Sequence, residues 1–298
     1  MDIKNTVWVI IPVHNRRLLT CSCLESLYRQ NISTFKVIIV DDGSDDGTKE
    51  MLVEKFPDTI VLKGSGRDFW TKSCNQGVQF VLTQAKQEDY ILTLNNDLTV
   101  EPAYIQILLE SAIQYPDAII GSLNVRQEDK ETVISAGVKI NWLTAKFQNL
   151  LPGTKRKHFP SNEKIIEVDA LPGRGTLIPV AIFKKIGIYN EEKLPHYAAD
   201  FEFSIRAKRS GHRLFVNRDA VVFSKIEETG LNNALRKISW GEYWSSFSSI
   251  KSPANLKYRW NFAQLCCPPH LFLSYYFLDL IRTVFGSLRN QIFGKRLS

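Results

Sequence analysis

Two short apolar runs in this chain end abruptly in clusters of oxygen-bearing side chains. Tyr90 to Leu94 runs into Asn95-Asn96-Asp97, and Phe35 to Val40 runs into Asp41-Asp42-Gly43-Ser44. A buried strand that stops at carboxylates and amides puts acceptor oxygens at the carboxyl edge of a sheet, where open α/β folds bind nucleotides and metals. Mg²⁺ and Mn²⁺ prefer oxygen ligands. The two strand ends together predict a site for a nucleotide diphosphate and a divalent cation. A third segment, Gly64-Ser65-Gly66-Arg67-Asp68-Phe69-Trp70, precedes a helix that carries Lys72 and Asn75-Gln76-Gly77. Glycines let a backbone approach a ligand closely, and a helix N-terminus favours phosphate. Its lysine spacing is wrong for a P-loop, but Arg67 can pair with a base or a phosphate.

These residues need a scaffold, and the hydrophobic pattern predicts one. Thr6 to Pro12, Phe35 to Val40, Ile60 to Lys63, Tyr90 to Leu94 and Ala118 to Ser122 read as buried strands. Between them, helices are expected over Arg16–Arg29, from the Asp45-Asp46-Gly47-Thr48 cap to about Phe56, over Thr71–Lys86 and over Pro102–Tyr115. This alternation implies a doubly wound, mostly parallel sheet. After Leu123 the pattern changes. Val125–Ile140 and Ile165–Pro179 look like antiparallel strands joined by a basic loop, Lys155-Arg156-Lys157-His158. Short helices follow over Val180–Ile186 and Asp200–Ser210, with strands over His212–Val216 and Ala220–Phe223.

The chain has 298 residues, 44% of them hydrophobic and 23% charged, which is the balance of a folded protein with a sizeable core. Net charge is +7, with much of the excess in the C-terminal third. No dense Lys/Arg run interleaved with aromatics is present, so nucleic acid is not an expected partner. The five cysteines show no paired spacing, which argues against both a zinc site and an oxidising compartment. The N-terminus runs straight into a strand without a signal peptide, so the expected address is the cytoplasm. Trp260 to Phe285 is apolar and aromatic and is broken by Pro268-Pro269. Its apolar stretch, Leu271 to Phe285, falls short of the roughly 20 residues of a spanning helix. With Lys257, Arg259, Arg289, Lys295 and Arg296 around it, it reads either as a helix packed on the domain or as one resting on the inner-membrane surface.

Five motifs in order carry a resemblance: Ile10-Ile11-Pro12-Val13-His14-Asn15-Arg16, Val40 to Ser44, Leu94 to Asp97, Gly173-Arg174-Gly175-Thr176-Leu177-Ile178-Pro179, and Leu194 to Phe203. Over about residues 6–225 the chain resembles family 2 glycosyltransferases, in particular the bacterial branch that builds surface polysaccharides, including rhamnosyltransferase-like members. The resemblance implies a GT-A fold: a Rossmann-like α/β sheet with a small antiparallel acceptor-side sheet, here followed by a C-terminal helical tail. The expected division is residues 1–225 for the catalytic domain, with 1–123 as its nucleotide-binding half and 124–225 as its acceptor-side half. Residues 226–298 are expected to form a helical extension, either packed on the domain or associating with the membrane.

The resemblance also implies roles. Asp42 reads the base or ribose while Asp41 orients the loop, and Pro12 and His14 line the same slot, His14 as a contact rather than an acid or base. Gly66, Arg67, Trp70 and Asn75 border the donor, with Trp70 walling the sugar. Asp97 is the expected metal ligand, with Asn96 near the ribose or a metal-bound water. The amides replace the acidic pair of many relatives, so metal should bind weakly until a donor's diphosphate supplies further oxygens. Asp200 is the expected base, since an inverting transfer needs one carboxylate to take the acceptor hydroxyl's proton. Glu202 lies about 200° further around a helix, so both acids cannot aim at one hydroxyl; it and His196 are assigned to the acceptor. Gly173, Arg174 and Gly175 shape the sugar pocket and place a cation beside the departing charge.

The expected partners are a UDP-, dTDP- or GDP-sugar donor, a glycan or lipid-linked acceptor, and Mg²⁺ or Mn²⁺. Two other classes remain. A sugar-nucleotide nucleotidyltransferase would carry a Gly-rich basic loop directly after the first strand, where this chain has Pro12-Val13-His14-Asn15. A non-catalytic sugar-binding scaffold would not need Asp42, Asp97 and Asp200 together.

Overall fold

The computed structural model describes residues 5–159, 163–225 and 239–293. Its centre is a sheet whose first strands are β1 (Val7–Val13), β2 (Phe35–Asp41), β3 (Ile60–Lys63) and β4 (Tyr90–Thr93), joined by α1 (Arg17–Leu27), α2 (Thr48–Lys55) and α3 (Phe69–Gln84). A three-residue strand, β5 (Leu98–Val100), precedes α4 (Tyr104–Gln114) and β6 (Ile119–Arg126). Then come β7 (Val133–Ser135), β8 (Val138–Asn141), β9 (Lys146–Asn149), β10 (Ile165–Glu167) and β11 (Thr176–Pro179). Helices α5 (Val180–Ile186) and α6 (Ala199–Arg209) lead to β12 (Leu214–Ser224). Helices α7 (Trp240–Ser246), α8 (Leu256–Cys266) and α9 (Phe272–Phe293) follow.

The main path of the sheet is β10-β12-β6-β11-β4-β1-β2-β3. β1 pairs in parallel with β2 and β4, β2 with β3, and β6 with β12. Both faces of the sheet are covered, which is why its strands are continuously apolar rather than alternating. Trp8 and Ile10 of β1 face one core with Cys74, Val78 and Val81 of α3, and with parts of α5, α6 and α8. Val7, Val9, Ile11 and Val13 face the other, against α1, α2 and α4. Gly77 lets α3 lie directly on β1, since a Cβ there would stand 2.6 Å from Ile10 Cγ2.

The alternating first half is as expected, but the second half pairs differently. Among the described residues, segment 165–179 meets 125–140 only at an isolated antiparallel bridge, Val138 with Ala170. It supplies β10 and β11 to the main sheet, and β11 lies antiparallel between β4 and β6. The small antiparallel sheet is β8 with β9. The two strands expected over 212–223 form one, β12, with a register shift between Asn217 and Val221. The tail joins the fold through Phe262 and Cys266 of α8, which enter the α3-side core, and through Tyr275 of α9, which packs with Ala145, Ala263 and Cys267. Lys295 and Arg296 lie outside the described residues, and among those described no helix is long and apolar enough to cross a membrane.

Asn75, expected at the donor, instead clamps the fold. Its buried amide donates to the Tyr189 carbonyl (2.9 Å) and Glu191 Oε2 (2.6 Å), and accepts from Tyr189 N–H (3.0 Å). All three bonds tie α3 to the loop before α6, leaving the amide turned away from any ligand. Asn75→Ala strands a buried N–H and C=O, so it should cost about 2–4 kcal/mol. Urea denaturation should show a lowered midpoint at unchanged slope.

Candidate active site

Asp42, at the end of β2, organises the first wall. Its buried carboxylate accepts backbone N–H groups from Gly66 (2.6 Å, at Oδ1) and from Asp68 and Phe69 (2.9 and 3.2 Å, at Oδ2). Three charge-assisted bonds fix the 64–69 loop against the strand end. The fit requires glycine: a Cβ on Gly64 would stand 2.8 Å from Asp42 Oδ1, and one on Gly43 (φ 74°) would stand 3.0 Å from the Gly66 Cα. Asp41 accepts from Ser44 N–H (3.0 Å) as expected of a loop-orienting residue. His14 is exposed, and its Nδ1 is bonded to the Asp42 carbonyl at 2.7 Å, beside the partly exposed Pro12. Arg67 is exposed; its backbone N–H donates to Ser65 Oγ (3.3 Å), and its guanidinium makes no hydrogen bond or ion pair among the described residues.

Asp68 was not singled out in the sequence, yet it is the loop's second anchor. It is buried, pairs with Lys72 one helical turn on (2.8 Å) and accepts from Ser65 N–H and Gln76. Burial alone would raise its carboxyl; the bonds from Lys72 and Ser65 outweigh it and bring it down to about 2. The Asp-x-x-x-Lys spacing at a helix start was the available signal.

The second wall is at the end of β4. Trp70 Nε1 donates to Asn95 Oδ1 (3.0 Å), so Asn95, rather than Asn96, faces the loop. Asn96 is buried and gives its amide to Thr20 Oγ1 at 3.1 Å, which directs it into α1 and away from a ribose. Asp97 keeps one oxygen, Oδ1, buried with no hydrogen-bond partner; the other lies 3.6 Å from Arg16. An orphaned buried carboxylate oxygen fits a cation ligand. Among the described residues no group of three or more His, Cys, Asp or Glu surrounds it, so Asp97 would be a divalent ion's one protein carboxylate.

The third wall comes from the segment before β11. Gly173 lies under Trp70, where a Cβ would meet the ring at 2.2 Å. Gly175 (φ 76°) donates to the Thr93 carbonyl (2.9 Å), which places 173–175 beside the end of β4. Gly173 N–H donates to Asp200 Oδ2 (2.7 Å), and Phe201 N–H to Oδ1 (2.9 Å). Burial pushes the Asp200 carboxyl up, against these two bonds and the field of Arg174. Arg174 itself has no hydrogen bond or ion pair among the described residues. The contacts Asn95–Trp70–Gly173–Asp200 thus connect the Asp97 end of β4 to the candidate base.

Residues 8–171, more than half of the chain, match Glycosyl transferase family 2. The chain belongs to that family.

An uncharacterized glycosyltransferase of Rickettsia typhi is 23% identical over 81% of this chain and 71% of its own length. An undecaprenyl-phosphate 4-deoxy-4-formamido-L-arabinose transferase of Pectobacterium carotovorum is 32% identical over 43% of this chain and 39% of its own. Among solved structures, GalNAc-T7 with UDP, GalNAc and Mn²⁺ superposes with a TM-score of 0.61 at 16% identity, over 94% of this chain and 58% of that one. A mannosyltransferase of Pyrobaculum calidifontis, in complex with GDP-Man and Mn²⁺, gives a TM-score of 0.58 at 12% identity, over 97% and 74%. The fold is GT-A, and the protein is a glycosyltransferase, which sets the nucleotidyltransferase alternative aside.

In this glycosyltransferase Glu202, expected at the acceptor, is turned into the core. It is buried one helical face away from Asp200 and paired with Arg206 at 2.8 Å, and Arg206 also donates to the Ile186 and Ile188 carbonyls. His196 lies against the first wall: its ring packs on Phe69 (5.7 Å) and Tyr197 (4.5 Å), and its Nδ1 is buried without a partner. Burial, with the charge of Lys251, lowers the His196 ring to about 4. The depressed value means that the unfolded chain binds this proton first as pH falls. The stability from a neutral His196 is therefore intact above the unfolded value of about 6.5 and lost as pH drops through about 4. NMR should show the His196 ring titrating near 4, and His196→Phe should flatten the stability profile in that window. Asp68 loses its contribution only at still lower pH.

Proposed function

We propose that this enzyme performs an inverting, metal-assisted transfer of a sugar from a nucleotide donor to a saccharide or lipid-linked saccharide, in cell-surface polysaccharide synthesis on the cytoplasmic face of the membrane. The observation that carries it is Asp200: a carboxylate in the site with no ion pair among the described residues, held by Gly173 N–H beside the unpaired Arg174, with its proton affinity raised by burial. The UDP, GDP-Man and Mn²⁺ of the solved relatives support a nucleotide-sugar donor and a divalent ion. The relative named for undecaprenyl phosphate supports a lipid-linked acceptor.

The donor's base and ribose lie along Pro12, His14 and the loop that Asp42 holds, with Arg67 free to reach base or phosphate. Trp70 and Gly173 wall the sugar. Asp200 takes the proton of the acceptor hydroxyl as its oxygen attacks the anomeric carbon from the face opposite the diphosphate. The bond to the diphosphate breaks in the same displacement, so configuration inverts. Arg174 neutralises the departing charge. A divalent ion held by Asp97 would supply further neutralisation of that diphosphate. Residues 1–123 then serve the nucleotide, 124–225 the acceptor, and 226–298 the membrane side.

A thermal-shift screen of UDP-, dTDP- and GDP-sugars with Mg²⁺ or Mn²⁺ identifies the donor; at about 100 times its Kd the right one stabilises by about 2.7 kcal/mol. Asp97→Ala should abolish the metal-dependent part of that shift and leave the fold intact. Near-normal turnover of Asp97→Ala in Mg²⁺ would refute the metal assignment.

Asp200→Asn should cut turnover by about 10²–10⁴ with donor affinity within a few-fold of the parent. Because the folded carboxyl is raised, the charged form costs stability that returns only as pH falls. The acid limb of kcat/KM should therefore lie above the usual aspartate range, while the stability of Asp200→Asn sets relief of the buried charge against one backbone N–H left facing an NH₂ group. Glu202→Gln, by contrast, should lose stability rather than acting on the chemistry alone. Near-parental turnover of a folded Asp200→Asn would refute the base assignment.

A further inference from the structure

Helix α9 is packed the wrong way round for a helix facing water. Its buried side carries Asp279 and Thr283, each 8% exposed, beside Tyr275. Its outer side shows Leu273 (75% exposed), Phe277 (61%), Ile281 (37%) and Phe285 (61%), spaced every four residues and therefore on one face. The inversion is built in. Asp279 receives both of its bonds from Arg259 of α8 (2.6 and 2.7 Å), and Arg282 bends back to the Thr144 and Ala145 carbonyls. The polar groups are thus used inward, leaving a continuous apolar stripe outward. Helix α7 adds to it: Tyr243 is buried and bonds to the Val284 carbonyl (3.4 Å), while Trp240 and Trp244, one turn apart, stay exposed. Nothing among the described residues covers this face.

We infer that the α7–α9 face is a docking surface for an anionic lipid bilayer, on which the protein lies without crossing. Charge separates this occupant from a second copy of the chain. Residues 239–298 hold seven Lys and Arg against Glu242 and Asp279, five of the chain's net seven positive charges. A symmetric pairing of two such faces sets like charges together, whereas an anionic leaflet attracts them. Tryptophan and phenylalanine on an amphipathic helix are the residues that partition into the headgroup boundary. No described helix is long and apolar enough to span, so the stripe lies in the plane of the interface.

The same face is wired to the acceptor side of the site. Asn261 of α8 donates to the Lys193 carbonyl (2.9 Å), Tyr197 to the Lys251 carbonyl (3.4 Å), and Arg209 of α6 to the Leu265 carbonyl (2.9 Å). Segment 193–209 carries His196 and Asp200. A protein seated by α9 holds that segment at a fixed height over the leaflet, where a lipid-borne acceptor presents its hydroxyl. This purpose rests on the sugar-transfer reading above; the surface itself does not.

The test is co-sedimentation of the full chain with phosphatidylglycerol–phosphatidylcholine vesicles and with pure phosphatidylcholine vesicles, without donor. Binding should be stronger to the anionic vesicles and weaken as salt rises. The pair Phe277→Asp and Phe285→Asp, both on the exposed stripe, should lower partitioning at least about tenfold, with an unchanged thermal melt and unchanged donor-induced shift. Lys257→Glu should weaken binding to the anionic vesicles only. Absent vesicle binding, or binding indifferent to the Phe substitutions, would overturn the inference, as would a concentration-dependent dimer that those substitutions dissociate. Donor binding without vesicle binding refutes the surface alone. Vesicle binding without any donor-induced shift supports the surface and refutes the sugar-transfer reading.

Discussion

The first wall of the candidate site depends on one buried carboxylate accepting backbone N–H groups. A loop of Gly64 to Phe69 has little to hold it: its glycines bring backbone freedom and no side-chain packing. Asp42 supplies the missing order by binding Gly66, Asp68 and Phe69 through their amides. Phe69, at φ 54°, enters α3 in a conformation that non-glycine residues avoid, and its N–H is one of the three so held. Trp70 follows immediately, so its bond to Asn95 and its seat on Gly173 inherit their position from Asp42. Asp68 continues the arrangement from inside the loop by turning its own charge to Lys72 and Ser65.

The second constraint is the reversal of β11. A strand running parallel to β4 would begin at the amino edge of the sheet, far from Asp97. Running antiparallel, β11 begins beside Thr93, with Thr176 opposite it, and delivers Gly173-Arg174-Gly175 to the carboxyl edge. Gly175 can take that corner because a Cβ there would stand 2.5 Å from the Tyr104 hydroxyl and 2.8 Å from Ser122 Oγ. One reversed strand therefore brings a backbone N–H and a cation from the second half of the chain to the carboxylates of the first half.

The first half of the fold was legible because it is local and periodic: β1 to β4 with their helices follow from apolar runs and turn residues within a few positions of the predicted bounds. β5 was missed because three residues show no period. β11 was misplaced because its partners, Leu92 and Ile120, are far away in sequence and no local signal names them. β12 read as two strands because Arg218 and Asp219 interrupt its apolar run, yet Arg218 is buried and the interruption is only a register shift. At the site, residue type showed which positions could do chemistry, but not which way each side chain turns. Asn95 and Asn96 are identical in type and adjacent, and the turn between β4 and β5 sends one to Trp70 and the other into Thr20.

Asp200 and Glu202 show how direction separates two acids on one helix. Glu202 faces inward, where an unpaired charge would be costly, and Arg206 meets it with two nitrogens. That arginine gives its remaining donors to the Ile186 and Ile188 carbonyls, so the pair stitches α6 to the end of α5 and has no proton to exchange with a substrate. Asp200 receives only neutral backbone N–H donors, and burial outweighs them, so its carboxylate is left with proton affinity to use. The nearby Arg174 tempers that affinity without forming an ion pair. A base must be ionised before reaction and accept a proton during it, and a carboxylate held in place by amides, rather than neutralised by a cation, meets both demands.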